Sequence, residues 1–239
     1  MRVDFYLIGI NRPDVVQKAE NPEGFSSYRK KKISSIRNRS ARLLSAAAGI
    51  AVEKGLAKFG LKESDISYGL NDYGKPFISG RPDIVFNVSH SGEYAVAAFL
   101  DTEEAEGQHL PGSGTGQTEE QHLPGDGTVQ TEWLNTIGVD IEQAGRMNSR
   151  ILSKMKPDTG FDDSKDDMCR RWTATEAFVK CIGKGLQAFD ESFHFEKTPS
   201  GYMRLCQDIY DGEFSLIEAD APAGYRITCV VRKQEGAVS

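Results

Sequence analysis

Six residues, Ile137-Gly138-Val139-Asp140-Ile141-Glu142, constrain this chain more than any other stretch. From Val139 on, apolar and acidic residues alternate. In an extended strand, residues two apart point the same way. Asp140 and Glu142 then stand about 7 Å apart on one face, while Val139 and Ile141 turn to the other, into a core. Two neighbouring carboxylates repel, and burying them without partners is costly. A hard divalent cation resolves the conflict. Mg²⁺ takes one or two protein carboxylates and fills its other positions with water and substrate phosphate. The alternative is a half-exposed strand whose polar face is acidic, and the hexapeptide alone does not choose between them.

The 239 residues fit one large domain or two small ones. A formal charge of −6 argues against broad contact with a phosphate backbone, so nucleic acid is not an expected partner. The four cysteines, Cys169, Cys181, Cys206 and Cys229, are widely spaced and form no C-x-x-C. That spacing indicates neither a zinc site nor a disulfide framework, and reduced thiols predict a cytoplasmic protein. The opening run Met1–Ile10 carries Asp4 within it. It is too short and too interrupted for a signal peptide or membrane span, and reads as a first strand.

Asn11-Arg12-Pro13 breaks that strand, and a helical region is expected from about Glu23. It carries seven basic residues, Arg29, Lys30, Lys31, Lys32, Arg37, Arg39 and Arg42, with no acid among them. Such a run is a solvated helix face, a nucleic-acid face or a small phosphate site. Residues 41–59 have helical spacing, with Leu43, Ala47, Ile50 and Lys54 stepping along them and Gly60 closing the segment. Residues 68–77 read as strand, turn and a rigid Gly74-Lys75-Pro76 corner. Residues 84–89 form a strand that ends in Ser89-His90-Ser91-Gly92. Residues 94–100 form another, apolar on both faces and therefore buried.

The composition then shifts. Between Thr102 and Glu132, Gln108-His109-Leu110-Pro111-Gly112 recurs thirteen residues later as Gln121-His122-Leu123-Pro124-Gly125. This polar, glycine-rich unit buries too little apolar surface to offset its ordering entropy. It predicts a mobile insert, in which His109 and His122 are poor candidates for a metal site. After the strand at 136–142, residues 145–167 are polar, with Met147, Ile151, Leu152, Met155 and Phe161 as exposed apolar members. A helix is expected over 169–186. Its core series is Ala174, Phe178 and Cys181, and its other series is Trp172, Glu176 and Lys180. The remainder reads as antiparallel strands.

Asp140-Ile-Glu142, Trp172-Thr-Ala-Thr-Glu176-Ala-Phe-Val-Lys180, and Gly74-Lys75-Pro76 followed by Phe86-Asn-Val-Ser89-His90-Ser91 are each weak alone. In this order and combination they resemble the larger, Sfp-type 4′-phosphopantetheinyl transferases, over about residues 28 to 190 apart from the repeat. The resemblance implies transfer of 4′-phosphopantetheine from coenzyme A to a serine of an apo acyl or peptidyl carrier protein, with release of adenosine 3′,5′-bisphosphate. It implies Mg²⁺ on Asp140, Glu142 and Glu176, with Glu176 as general base and Lys180 at the leaving phosphate. It implies coenzyme A contacts at Lys75, Pro76, Ser89 and His90, and at Arg29, Lys32 and Arg37 for the 3′-phosphate.

The implied fold is α+β, two similar subdomains related by a pseudo-twofold, each a helix packed on a small antiparallel sheet. Their bounds would be 1–100 and 133–239, around an insert at 101–132, in a monomer that meets no membrane. The carrier would dock along the polar residues 145–170. Two departures stand out. Thr175 replaces the lysine usual before the helix glutamate, and Leu44-Ser45-Ala46 stands where the family often has Arg-Ser/Thr-Leu. A non-catalytic binding module and a Mg²⁺-dependent phosphohydrolase remain the competing readings.

Overall fold

The first strand, β1 (Arg2–Gly9), pairs antiparallel along its length with β5 (Tyr94–Asp101), from Arg2 opposite Asp101 to Gly9 opposite Tyr94. On its other edge β5 pairs with β4 (Phe86–Ser91), giving the order β1-β5-β4. A second antiparallel sheet repeats the plan. Here β10 (Tyr225–Lys233) lies between β6 (Asn135–Gln143) and β9 (Glu213–Ala219). Each half also carries a short hairpin: β2 (Tyr68–Leu70) with β3 (Pro76–Ile78), and β7 (Phe193–Lys197) with β8 (Met203–Gln207). Among the described residues both halves run strand, helical stretch (three α-helices in the first half, one in the second), hairpin, two strands, and in both the last strand is central. The computed structural model describes residues 2–101, 135–148, 160–185 and 193–233. The duplicated stretch, together with Ile151, Leu152 and Met155, lies outside the described residues.

The helices follow their local signals. Helix α1 (Pro13–Glu20) places Pro13 at its start and Asp14 in its first turn. Proline's fixed φ and missing N–H suit that position, so the residue read as a break begins a helix. The basic cluster is divided. Helix α2 (Ser27–Ser35) ends before Ile36, and α3 (Arg39–Leu56) starts anew with the Asn38 side chain accepting from Ala41 N. Gly60, after a turn of 3₁₀ helix, closes this region in the left-handed conformation, with φ +67°. Helix α4 (Lys165–Ile182) begins four residues earlier than its apolar pattern, because Ser164 caps it and Asp166 and Asp167 suit its first turn.

β5 explains how the layers stack. Ala95, Ala97 and Phe99 pack with the buried face of α3, while Val96, Ala98 and Leu100 pack with Ile137, Val139 and Ile141 of the second sheet. The two sheets therefore lie face to face, and each is backed by helix. A strand covered on both sides has no polar face to alternate, so β5 reads as continuously apolar. Phe178, Phe193, Phe195 and Met203 form the third cluster, beneath α4. Met147 is 3% exposed and Phe161 packs on that third cluster, so neither is the exposed apolar residue expected of 145–167.

Gly138 fixes the distance between α4 and β6. A Cβ there would stand 2.0 Å from the Ala177 carbonyl oxygen and 2.4 Å from Cys181 N. These are backbone atoms that cannot rotate away. Gly138→Ala is expected to lower unfolding free energy by about 1–3 kcal/mol or more, as overpacking does. Guanidinium unfolding of parent and variant measures it.

Candidate active site

Where the halves meet, a cavity of about 350 Å³ opens between α2, α3, β4, β6 and α4. Asp140, Glu142, Trp172, Glu176 and Lys180 line it from β6 and α4, and Arg29, Lys32, Ser45 and His90 from α2, α3 and β4. The carboxylate lining is built by two strands from different sheets. Every second residue of β4 reaches β6: Asn87 Oδ1 accepts from Val139 N (3.0 Å), Ser89 Oγ donates to Asp140 Oδ1 (2.6 Å), and Ser91 Oγ donates to Glu142 Oε1. Alternation puts Asn87, Ser89 and Ser91 on the buried face of β4.

Lys180 completes this cluster from α4. Its ammonium donates to Asp140 Oδ1 (2.6 Å), Ser89 Oγ (3.0 Å) and the Val139 carbonyl (3.3 Å). Burial pushes the Asp140 carboxyl above the usual carboxylate range, against the opposing pull of Lys180 and Ser89. Glu142 Oε1 also accepts from Gln143 N at 2.8 Å. Among the described residues, Asp140 Oδ2 and Glu142 Oε2 have no hydrogen-bond partner. Asp140, Glu142 and Glu176 share one cavity, though their carboxylates are not gathered into a trio within 4.8 Å. Thr175 is buried and donates to the Arg171 carbonyl (2.9 Å), one turn back on α4, so it is absent from the lining.

The lining from α2 rests on a fully buried carboxylate. Glu63 is 0% exposed; it accepts from Ser26 Oγ and the Tyr68 hydroxyl at 3.1 Å each, and from Arg29 Nε at 3.4 Å. Arg29 itself is buried, so Glu63 both balances its charge and fixes its position. Lys32, further along α2, is pushed down in pKa by burial and by Arg29. His90 is exposed at the cavity, yet surrounding protein and then Lys32 hold its imidazole below its ordinary value. Ser45 completes the set from α3. Its hydroxyl is buried without a hydrogen-bond partner. Its place in Leu44-Ser45-Ala46, where the family often has Arg-Ser/Thr-Leu, is the one local signal for it in an otherwise apolar helical run.

Three other expected residues lie elsewhere. Arg37 is exposed beyond the end of α2 and does not line the cavity. Lys75 and Pro76 line a smaller, separate cavity of about 100 Å³. There the Lys75 ammonium donates to the carbonyls of Ile137 (2.9 Å) and Cys181 (3.2 Å), and burial lowers its pKa. Asn71 accepts from Lys75 N and donates to the Gly183 carbonyl, tying the Gly-Lys-Pro corner to the end of α4.

Two outcomes follow from Glu63 and His90. Glu63→Ala strands the buried guanidinium of Arg29, and a loss of about 3–5 kcal/mol is expected on chemical denaturation. For His90 the sign is set by its depressed pKa. Below the ordinary value of 6.5, the unfolded chain binds a proton that folded His90 resists, so stability falls as pH drops through that range. Lys32→Ala should raise the His90 pKa, which an NMR titration of the imidazole reads directly.

Residues 136–230 match the family described as the 4′-phosphopantetheinyl transferase superfamily. The 4′-phosphopantetheinyl transferase Sfp of Bacillus subtilis (strain 168) is 27% identical over 156 residues, 62% of this chain and 55% of its own. The 4′-phosphopantetheinyl transferase gsp of Aneurinibacillus migulanus is 22% identical over 177 residues, 71% of this chain and 60% of its own. The chain thus spans little more than half the length of these curated relatives. A solved holo-(acyl-carrier-protein) synthase from Bacillus anthracis covers 41% of this chain and 91% of its own, at 19% identity and a TM-score of 0.34, a likeness too partial to carry an argument.

Proposed function

We propose that this chain, whose residues 136–230 match the 4′-phosphopantetheinyl transferase superfamily, moves 4′-phosphopantetheine from coenzyme A to a serine of an apo acyl or peptidyl carrier protein. The observation that carries this reading is one cavity lined both by the cations Arg29, Lys32 and Lys180 and by the carboxylates Asp140, Glu142 and Glu176. Coenzyme A has phosphate at two places, the ribose 3′-phosphate and the pyrophosphate. Arg29, Lys32, His90 and the unpartnered Ser45 hydroxyl suit the first. The carboxylates and Lys180 suit the second.

In the reaction the carrier serine oxygen attacks the phosphorus bearing pantetheine. The bond from that phosphorus to the bridging oxygen breaks, and adenosine 3′,5′-bisphosphate leaves. Glu176 takes the serine proton as general base, and Lys180 stabilises or protonates the leaving phosphate. The donor set is all oxygen, and Asp140 Oδ2 and Glu142 Oε2 have no partner among the described residues, so these groups and Glu176 fit a hard cation. Mg²⁺, if held by these residues, would supply charge neutralisation for the pyrophosphate. Lys75 and Pro76 would act from beside the site, by fixing the corner at α4, and Arg37 from the solvent side.

The shared element order of the two halves supports their relation by a pseudo-twofold, with residues 102–132 between them. No helix among the described residues is long and apolar enough to cross a membrane. A monomeric, cytoplasmic enzyme that binds no nucleic acid completes the reading.

The test is incubation with coenzyme A, Mg²⁺ and a panel of apo carrier proteins. A gain of about 340 Da on one serine, set by the transferred group, is expected. Asp140→Ala and excess chelator should each abolish it. Glu176→Gln and Lys180→Ala should each lower kcat on the order of 10²-fold or more, while the buried Thr175→Ala changes turnover little. Coenzyme A cleavage without any carrier would favour a phosphohydrolase. Unchanged turnover in Glu176→Gln would remove α4 from the chemistry.

A further inference from the structure

The β7–β8 hairpin carries a second cluster of donors, remote in sequence from the cavity lining. One face of the hairpin is committed to packing: Phe193, Phe195 and Met203 are buried against α4 and its neighbours, with Leu205 packed on them. Alternation turns the intervening residues outward. His194 stands directly across the strand pair from Cys206, and Glu196 across from Arg204. The result is an imidazole, a carboxylate and a thiol whose ligand atoms all lie within 4.8 Å of one another, each residue half-buried. Sequence spacing hides this trio, because Cys206 joins the other two only through strand pairing.

We propose that His194, Glu196 and Cys206 bind a borderline divalent cation of the zinc class, separate from the cation of the acidic cavity. The donor types select it. Thiolate and imidazole suit zinc and its neighbours, and hard Mg²⁺ prefers oxygen alone. The spacing agrees. Donors about 2.0–2.3 Å from a tetrahedral zinc ion stand roughly 3.3–3.8 Å apart, and His194 Nε2 already lies 3.5 Å from Glu196 Oε1. The other carboxylate oxygen, Oε2, is paired with Arg204. That pairing aims Oε1 at the imidazole and remains possible when Oε1 is coordinated, the arrangement of an outer partner that orients a ligand. Arg204 is largely exposed, so its charge stays solvated rather than pressed against the ion. Three protein ligands leave a fourth position for water or an outside donor.

Cobalt(II) is the probe, because a cobalt–thiolate bond has its own near-ultraviolet charge-transfer band. Purified, metal-stripped full-length protein is titrated with cobalt(II) in excess Mg²⁺. One equivalent should bind with a charge-transfer band and the strong visible absorption of tetrahedral cobalt, and zinc should displace it. Cys206→Ser should lose the charge-transfer band. His194→Ala should keep a thiolate but weaken binding by at least about tenfold, the range for even an outer partner. All substitutions lie on the hairpin's outward face, and circular dichroism checks that each variant folds. Binding to His109 or His122 would give no thiolate band. Parent protein without the band, or a Cys206→Ser variant that retains it, overturns the proposal. Carrier modification by Cys206→Ser should match the parent, so failure here is distinct from failure of the transferase reading.

Discussion

Asp140 is the point on which the structure turns. It is a carboxylate 5% exposed, held by a serine from the first sheet and a lysine from the helix behind the second. Removed from water with one partner lost, it would be an uncompensated buried charge, among the costliest groups a fold can contain. Its satisfaction therefore depends on both halves being in register at once. β4 must lie beside β6, and α4 must approach closely enough for Lys180 to reach. Gly138 permits that approach. The same requirement that stabilises the carboxylate also shapes the cavity.

Glu63 has a comparable place in the first half. It has no solvent contact, and its partners come from the start of α2, from Arg29 within α2 and from β2. A charged side chain this deep is tolerated because donors surround it. Its consequence is felt in the cavity wall, where the position of Arg29 is set by a rigid acceptor rather than by solvent. Lys32 then titrates in a field that already contains a fixed cation, and Lys32 in turn helps to hold His90 below its ordinary value.

Much of this was legible in the sequence. The period-two alternation at Val139–Glu142 fixed which side chains face the core, and Val139 and Ile141 are both buried. The i,i+4 spacing of Trp172, Glu176 and Lys180 placed all three on one cavity. Other features were hidden for physical reasons. Pro13 punctuates as readily as it starts a helix. Ser45 differs from its apolar neighbours only by a hydroxyl whose missing partner is visible in three dimensions alone. Lys75 satisfies its ammonium on backbone carbonyls, and carbonyls leave no trace in a sequence. Phe161 and Met147 looked exposed because their neighbours are polar, yet packing across the fold covers them.

The repeated element order has a consequence for how the polypeptide can be divided. Each sheet closes on its own final strand, so a break anywhere between Asp101 and Asn135 leaves both sheets whole. The two fragments would still present Val96, Ala98 and Leu100 on one side, and Ile137, Val139 and Ile141 on the other. An internal seam would become a protein–protein interface with a hydrophobic centre. Ser89 would belong to one fragment, and Asp140 and Lys180 to the other. Such a molecule is a natural two-part switch: neither piece carries a finished cavity, and reassociation restores it.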